Sequence, residues 1–239
     1  MEFHFWQNWW QFLLLAVAGY LIGSFNFAYV IAKLKKKDVS KMGSGNPGAM
    51  NMTREFGTII GFLTFFLDAF KGGIPAVIVY HLYGDAVFAG TEFAVGYLAA
   101  FIIGAFVVLG HVYPVMLKFK GGKGISSGIG LFWLTLSIEN PWILLIGLAI
   151  VATIPFIITW TKIGSLWSLS YLAGFAIWQN IQLLLLYESM SVYLAASMIL
   201  VCGVILLSWA AHHKNFRCLF SGEEHETVMI KFKKKEKTV

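Results

Sequence analysis

The chain has 239 residues, of which 58% are hydrophobic, 16% aromatic and only 13% charged. A soluble domain carries roughly 45–50% apolar and about 25% charged residues, so a single water-facing fold is excluded. Disorder and collagen-like repeats need polar or Gly/Pro-dominated sequence and are excluded as well.

An all-α polytopic membrane protein remains. Its apolar stretches are helical in length, unlike the short alternating strands of an outer-membrane barrel. Crossing the hydrocarbon core takes about 20 mostly apolar residues. In chain order the candidate spans are 11–32, 58–80, 93–116, 126–138, 141–160, 165–186 and 191–210. The fourth is too short to cross unaided, so the Gly-rich segment before it enters the membrane or the bilayer thins around it. Trp6, Trp9 and Trp10 suit an aromatic belt at the start of the first span. The preceding residues lack the basic region of a signal peptide, so the first helix is expected to stay. The two cysteines, Cys202 and Cys218, suggest neither a disulfide nor a metal site.

Seven spans place the termini on opposite sides. Of the 18 Lys+Arg, 17 follow the first, third, fifth and seventh spans, and the last, Lys71, lies inside the second. The other loops hold Glu2, Asp85, Glu92, Glu139 and Glu188 and no Lys or Arg. The positive-inside rule therefore puts the N-terminus outside and the C-terminus in the cytoplasm. The net charge of +6 is first an orientation signal, and no basic block is large enough to suggest nucleic acid. Residues 1–222 read as one transmembrane domain. Residues 223–239 read as a charged cytoplasmic tail, expected to be mobile and able to touch anionic headgroups.

The first inner loop reads Lys41-Met-Gly-Ser-Gly-Asn-Pro-Gly-Ala-Met-Asn-Met-Thr-Arg54. Gly43, Gly45 and Gly48 permit positive φ, and successive amides in such a loop form an anion nest. Ser44, Asn46 and Asn51 add neutral donors, and Arg54 adds a forked cation suited to phosphate. A plain turn-rich loop is the weaker reading of these residues. The second loop ends in Gly121-Gly122-Lys123-Gly124, ahead of a helix start, where phosphate is favoured. It is not a Walker A loop, because the glycine four residues before the Gly-Lys pair is missing. Positive-inside anchoring explains its lysines equally well. His111, near the end of the third span, reads as a structural histidine.

At the end of the seventh span, His212 and Asn215 stand three apart and on a helix would share a face. A histidine there suits a base or phosphate donor, or a headgroup-facing cap. Asp68 and Lys71 form a possible ion pair deep in the second span. Such charges are costly in a membrane and face a partner or a water-filled cavity. An ion pair supporting the nearby loops is favoured over direct catalysis. Together the inner-face residues point to an anionic, phosphorylated substrate.

These residues resemble a known family, the membrane acyl-phosphate:glycerol-3-phosphate acyltransferases of the PlsY type. The resemblance runs from about Tyr20 to Glu224. It rests on Tyr20-Leu-Ile-Gly-Ser-Phe-Asn-Phe-Ala-Tyr, on Gly43-Ser-Gly-Asn-Pro-Gly-Ala-Met-Asn with Arg54, and on Asp68-x-x-Lys71-Gly72. It continues through Leu109-Gly-His-Val-Tyr-Pro, Phe119-Lys-Gly-Gly-Lys-Gly-Ile, Ser165-Leu-Trp-Ser168, His212-x-x-Asn215-Phe and Leu219-x-x-Gly222-x-Glu224. Met50 stands where the family usually has Thr, Ala211 where it has Arg, and Cys218 where an Arg is expected.

The resemblance implies transfer of an acyl chain from acyl phosphate to the 1-hydroxyl of glycerol 3-phosphate. The products are 1-acylglycerol 3-phosphate and phosphate, at the cytoplasmic side of a bacterial inner membrane. It implies Ser44, Arg54, Lys123, His212 and Asn215 as catalytic residues. Gly43, Gly45, Asn46, Gly48, Asn51, Gly121, Gly122, Gly124 and Ser165 would bind substrate, with Asp68, Lys71 and His111 in support. No cofactor or metal is implied. Membrane lipids and an enzyme that makes acyl phosphate are the expected partners. A transporter or channel for a phosphorylated metabolite is the alternative from another class.

Overall fold

The computed structural model describes residues 1–220 and is helical almost throughout. The expected tail at 223–239, with Gly222 and Glu224, lies outside the described residues. The helices are α1 (Phe5–Ser24), α2 (Phe27–Leu34), α3 (Ala49–Phe56), α4 (Thr58–Leu82), α5 (Val95–Val112) and α6 (Ile125–Leu136), then α7 (Trp142–Thr161), α8 (Gly164–Leu186), α9 (Val192–Ala211) and α10 (His213–Phe220). Two short strands, β1 (Glu2–Phe3) and β2 (Val87–Phe88), pair in parallel.

Six segments are long and apolar enough to cross a bilayer: Phe5–Leu34, Thr58–Leu82, Val95–Leu117, Trp142–Thr161, Gly164–Leu186 and Val192–Ala211. The remaining candidate becomes α6, with 12 residues. At 1.5 Å per residue it is about 18 Å long, well short of the roughly 30 Å core. The fourth expected span, too short to cross unaided, is thus a short helix beside six of full length among the described residues.

The first span also differs from the expected 11–32. It begins at Phe5, and it breaks after Ser24, where Phe25 is extended and Asn26 starts α2. The Asn26 side chain accepts from the Tyr29 amide at 2.8 Å, an N-cap. An averaged apolar window passes over such a break.

Helices in lipid gain little from burying apolar side chains against each other, so small residues carry the close contacts. Here the contacts run backbone to backbone. A Cβ on Gly19 or Gly23 would overlap the carbonyls of Ile103 or Val107, and one on Gly110 would overlap that of Tyr20. These glycines join α1 to α5. Between α4 and α6 the same holds for Gly72 against Ser127, Gly73 against Gly130, and Gly130 against Ala69. The short α6 is thereby held in the centre, and most of its residues are buried.

Contacts sort the loops to two ends. At one end β1 lies beside β2, the Tyr80 and Tyr97 hydroxyls donate to Glu139, and the Ala94 amide donates to the Tyr187 hydroxyl. Rings of Phe3, Phe12, Tyr83, Phe88 and Tyr193 pack together there. At the other end lie the glycine loops.

Gly130→Ala forces a methyl into the Ala69 backbone and should cost about 1–3 kcal/mol by overpacking. Gly174→Ala meets no atom within 4 Å and should be neutral or stabilising. Thermal unfolding of the two variants in detergent checks the contrast.

Candidate active site

The first inner loop is folded on itself by one buried side chain. Asn51 Nδ2 donates to the Met42 carbonyl at 3.1 Å, and its Oδ1 accepts from the Ser44 amide at 3.1 Å. Asn51, expected to bind substrate, therefore spends both polar atoms within the loop. Gly43 and Gly45 have positive φ, 49° and 68°, as expected. Gly48 does not: it is extended, with φ −146°, and precedes α3 as its N-cap. A Cβ on Gly43 would overlap Asn51 Oδ1 and lie 3.0 Å from Glu55 Oε1. Ser44 is exposed, and Asn46 and Arg54 are part-buried. Arg54 rides on α3, which Gly57, with φ 88°, folds back onto α4 so that Gly61 abuts Thr53.

Beneath this loop sits the ion pair. Lys71 Nζ lies 2.9 Å from Asp68 Oδ1. It also donates to the carbonyls of Phe25 at 2.8 Å and Gly23 at 3.4 Å, and it lies 5.7 Å from the centre of the Phe27 ring. Lys71 thus satisfies carbonyls that the break in the first span releases. Asn26, just beyond the break, donates from Nδ2 to the Pro47 carbonyl at 3.2 Å. A path of contacts runs from Asp68 through Lys71 and Asn26 to the first loop.

A second path leads to the other loop. His111 Nδ1 lies 3.6 Å from Asp68 Oδ1. The His111 carbonyl accepts from the Gly122 amide at 3.0 Å, and the Val112 carbonyl accepts from the Gly121 amide at 3.2 Å. A Cβ on Gly122 would overlap His111 Nε2. The amides of Gly121 and Gly122, expected to face phosphate, are therefore used inside the protein. These glycines are small so that the loop can close on α5. The other donors of this segment are Lys123 and the first turn of α6, whose amides have no intrahelical partner. Gly124, in the left-handed region at φ 79°, is the N-cap.

Lys123 Nζ donates to Asn215 Oδ1 at 2.5 Å. His212 is buried at the junction of α9 and α10, so His212 and Asn215 do not share one continuous helix as expected. His212 Nδ1 lies 2.7 Å from the Ser208 carbonyl. A carbonyl only accepts, so Nδ1 carries the proton and Nε2 keeps a lone pair. Burial, then the Lys123 ammonium, push the His212 pKa down to about 4, against a smaller raising effect of Ser208. The imidazole is neutral at physiological pH. Ser165 is buried at the start of α8, and Ser168, one turn on, donates to the Gly164 carbonyl at 2.7 Å and lies 3.7 Å from Met50 Sδ. The serine pair thus meets α3 at the position where the resemblance led one to expect Thr.

Glu55 and Ser208 escaped the motif reading, and Asn26, inside the first motif, is given no role by it. Asn26 had a signal, a polar cap residue in an apolar run. Glu55 and the Ser208 carbonyl had none, because their roles depend on which chain segment folds over them. Among the described residues no three His, Cys, Asp or Glu side chains converge as a metal site requires.

The fold and site define a multi-span membrane protein with an anion-suited, polar site at one end of a glycine-packed bundle. A family model described as glycerol-3-phosphate acyltransferase matches residues 13–222. The chain belongs to this family of membrane acyltransferases. The glycerol-3-phosphate acyltransferase of Thermosipho melanesiensis is 33% identical, over 92% of this chain and 94% of that one. That of Thermotoga petrophila is 34% identical, over 94% of this chain and 100% of that one. The match to the Aquifex aeolicus enzyme is 45% identical but spans 49% of this chain and 56% of the relative. The chain is also similar to the crystal structure of PlsY, an integral membrane glycerol 3-phosphate acyltransferase, in its glycerol 3-phosphate form. That likeness has TM-score 0.69 and 32% identity, over 90% of this chain and 95% of the other. The lysophosphatidic acid form matches with TM-score 0.67.

Removing Lys71 alone strands a buried carboxylate, which costs about 3–5 kcal/mol. Lys71→Met should therefore destabilise more than Lys71→Met with Asp68→Asn; a double-mutant cycle on thermal unfolding measures the coupling. His212 gives a pH test. Its folded pKa lies below the ordinary 6.5, so the unfolded chain binds more protons between about pH 4 and 6.5. Stability should fall as pH drops through that window, and more shallowly in His212→Asn.

Proposed function

We propose that the protein transfers an acyl chain from acyl phosphate to the 1-hydroxyl of glycerol 3-phosphate. The site would face the cytoplasm from a bacterial inner membrane, with residues 1–222 as the catalytic domain and the termini oriented as the lysine distribution indicates. The observation that carries this reading is the convergence at one end of the bundle of two loops fit for anions. One holds Ser44 and Arg54. The other holds Lys123, paired with Asn215 beside a neutral, oriented His212. Two anionic substrates need two such sites held close together.

An acyl phosphate is already an activated anhydride, so no covalent enzyme nucleophile is needed. Ser44 and Arg54 hold one phosphate, with the amide of Gly43, since that of Gly45 returns to the Met42 carbonyl at 2.7 Å. Lys123 and the first turn of α6 stabilise charge that builds up as the carbonyl is attacked. His212 Nε2 accepts a hydrogen bond from the attacking hydroxyl and aims it. A base with pKa about 4 holds a proton poorly, whereas phosphate has a second pKa near 6. The hydroxyl oxygen bonds to the acyl carbon, the carbon–oxygen bond to phosphate breaks, and the hydroxyl proton leaves on the phosphate. Asn51, Gly121 and Gly122 shape the loops. Asp68, Lys71 and His111 position them. Membrane lipids surround the site, and an enzyme that makes acyl phosphate is its natural supplier.

Purified protein given palmitoyl phosphate and glycerol 3-phosphate should release phosphate and form the lysolipid, while palmitoyl-CoA should not replace the donor. Turnover with the CoA ester alone would overturn the donor assignment. Uptake of glycerol 3-phosphate into proteoliposomes without a donor would favour the transport alternative. Arg54→Ala, which loses a charged hydrogen bond worth about 1.5–3 kcal/mol, should lower turnover about ten- to a hundredfold in folded protein. Near-normal turnover would sink the phosphate role of the first loop.

A further inference from the structure

Among the described residues, four that are not glycine have positive φ: Lys36 at 57°, Lys118 at 52°, Phe119 at 60° and Lys162 at 64°. The left-handed region is unfavourable for a residue with a Cβ, and helix ends that need it usually use glycine. Within the glycine loops this chain does so, at Gly43, Gly45 and Gly124, and at the opposite end it does so at Gly84 and Gly90. At the ends of α2 and α7, and of the single turn Val115–Leu117, it uses lysine instead. The Lys36 and Lys37 amides return to the carbonyls of Lys33 and Ala32, a complete Schellman turn with lysine in the glycine place.

A second regularity accompanies the first. Two residues before each of these lysines stands a highly exposed apolar side chain. Leu34 is 79% exposed, Met116 67% and Trp160 86%. All three pairs lie at the end of the bundle that carries the substrate loops. An apolar side chain in the acyl region, followed by a lysine able to reach the headgroup layer, is the arrangement of a residue that snorkels. Beside Lys36, the ammonium groups of Lys35 and Lys37 lie 5.6 and 5.3 Å from the centre of the Phe56 ring, on the helix that bears Arg54.

We propose that Lys36, Lys118 and Lys162, each behind its apolar neighbour, form docking points for anionic phospholipid headgroups around the rim of the site end. Backbone strain is kept where it aims a cation at the headgroup layer. None of the three belongs to the substrate machinery, and the readout below is lipid association, so this inference stands apart from the acyl-transfer reading.

The test is association of spin-labelled phosphatidylglycerol and phosphatidylcholine with reconstituted full-length protein. The wild type should prefer phosphatidylglycerol by about fivefold, one lysine's worth of headgroup attraction. The combined variant Lys36→Gly, Lys118→Gly and Lys162→Gly relieves the left-handed strain, so it should melt at or above the wild-type temperature. Its preference should fall to near onefold. Asn at the same positions, which tolerates this backbone region, should behave alike. A wild type without preference, or variants that keep it, would overturn the proposal. So would an equal loss from Lys33→Gln, Lys37→Gln and Lys41→Gln, which would make summed charge the cause. Replacing chloride by inorganic phosphate at constant ionic strength should leave the preference intact. Its loss there would mark a free-phosphate site and overturn the lipid assignment.

Discussion

Inside the bundle, away from water, an ammonium and a carboxylate face each other at 2.9 Å. Burying such a pair is expensive, and its Coulomb attraction alone seldom repays the desolvation. Lys71 does more than pair with Asp68. The break after Ser24 releases carbonyls at membrane depth, where no water can satisfy them. Lys71 donates to those of Gly23 and Phe25. The ion pair and the broken helix are therefore two halves of one solution: the charge finds acceptors, and the carbonyls find a donor. Because the chain departs from the helix axis at that point, Asn26 can cap α2 and reach Pro47.

The same pair reaches the second loop only because helix backbones come unusually close. Gly72 lies next to Lys71 and lets α6 press against α4, and Gly122 lets the second loop lie over His111. Glycines in this protein thus divide by task. Those at 19, 23, 72, 73, 110 and 130 set helix separations. Those at 43, 45 and 124 supply left-handed turns around the site. Gly121 and Gly122 resemble an anion nest in sequence, but they belong to the packing class, since their amides bond to α5.

This division explains what the sequence disclosed and what it hid. Spans such as Trp142–Thr161 are legible because about 20 consecutive apolar residues have few alternatives. The family and its motif residues are legible because the motifs occur in order along the chain. The break at Phe25 is only hinted at by Asn26, because the donor that satisfies its carbonyls, Lys71, lies 46 residues away. Asn51 reads as a ligand donor because a loop asparagine has free polar atoms until a fold assigns them. His212 and Asn215 read as one helical face because spacing cannot reveal a junction between helices. In each case the miss concerns a bond or a break that only the folded chain assigns, which local pattern does not encode.

The state of His212 bears on why an acyl phosphate would suit the proposed site. A carbonyl fixes its Nδ1 proton, and burial beside Lys123 keeps the ring neutral. A strong base in that place would attract the Lys123 proton and weaken both groups. A weak one would leave the ammonium intact for the oxyanion of the proposed reaction and would still orient a hydroxyl through Nε2. The proton then needs another acceptor. In the proposed reaction the donor brings one, because its leaving group is phosphate. A thioester donor would bring a thiolate, which also takes a proton but lacks the charged oxygens that Lys123 and Arg54 would hold. The proposed pair of anion sites would therefore favour the anhydride through contacts to its phosphate, which strengthen as charge moves onto the leaving group.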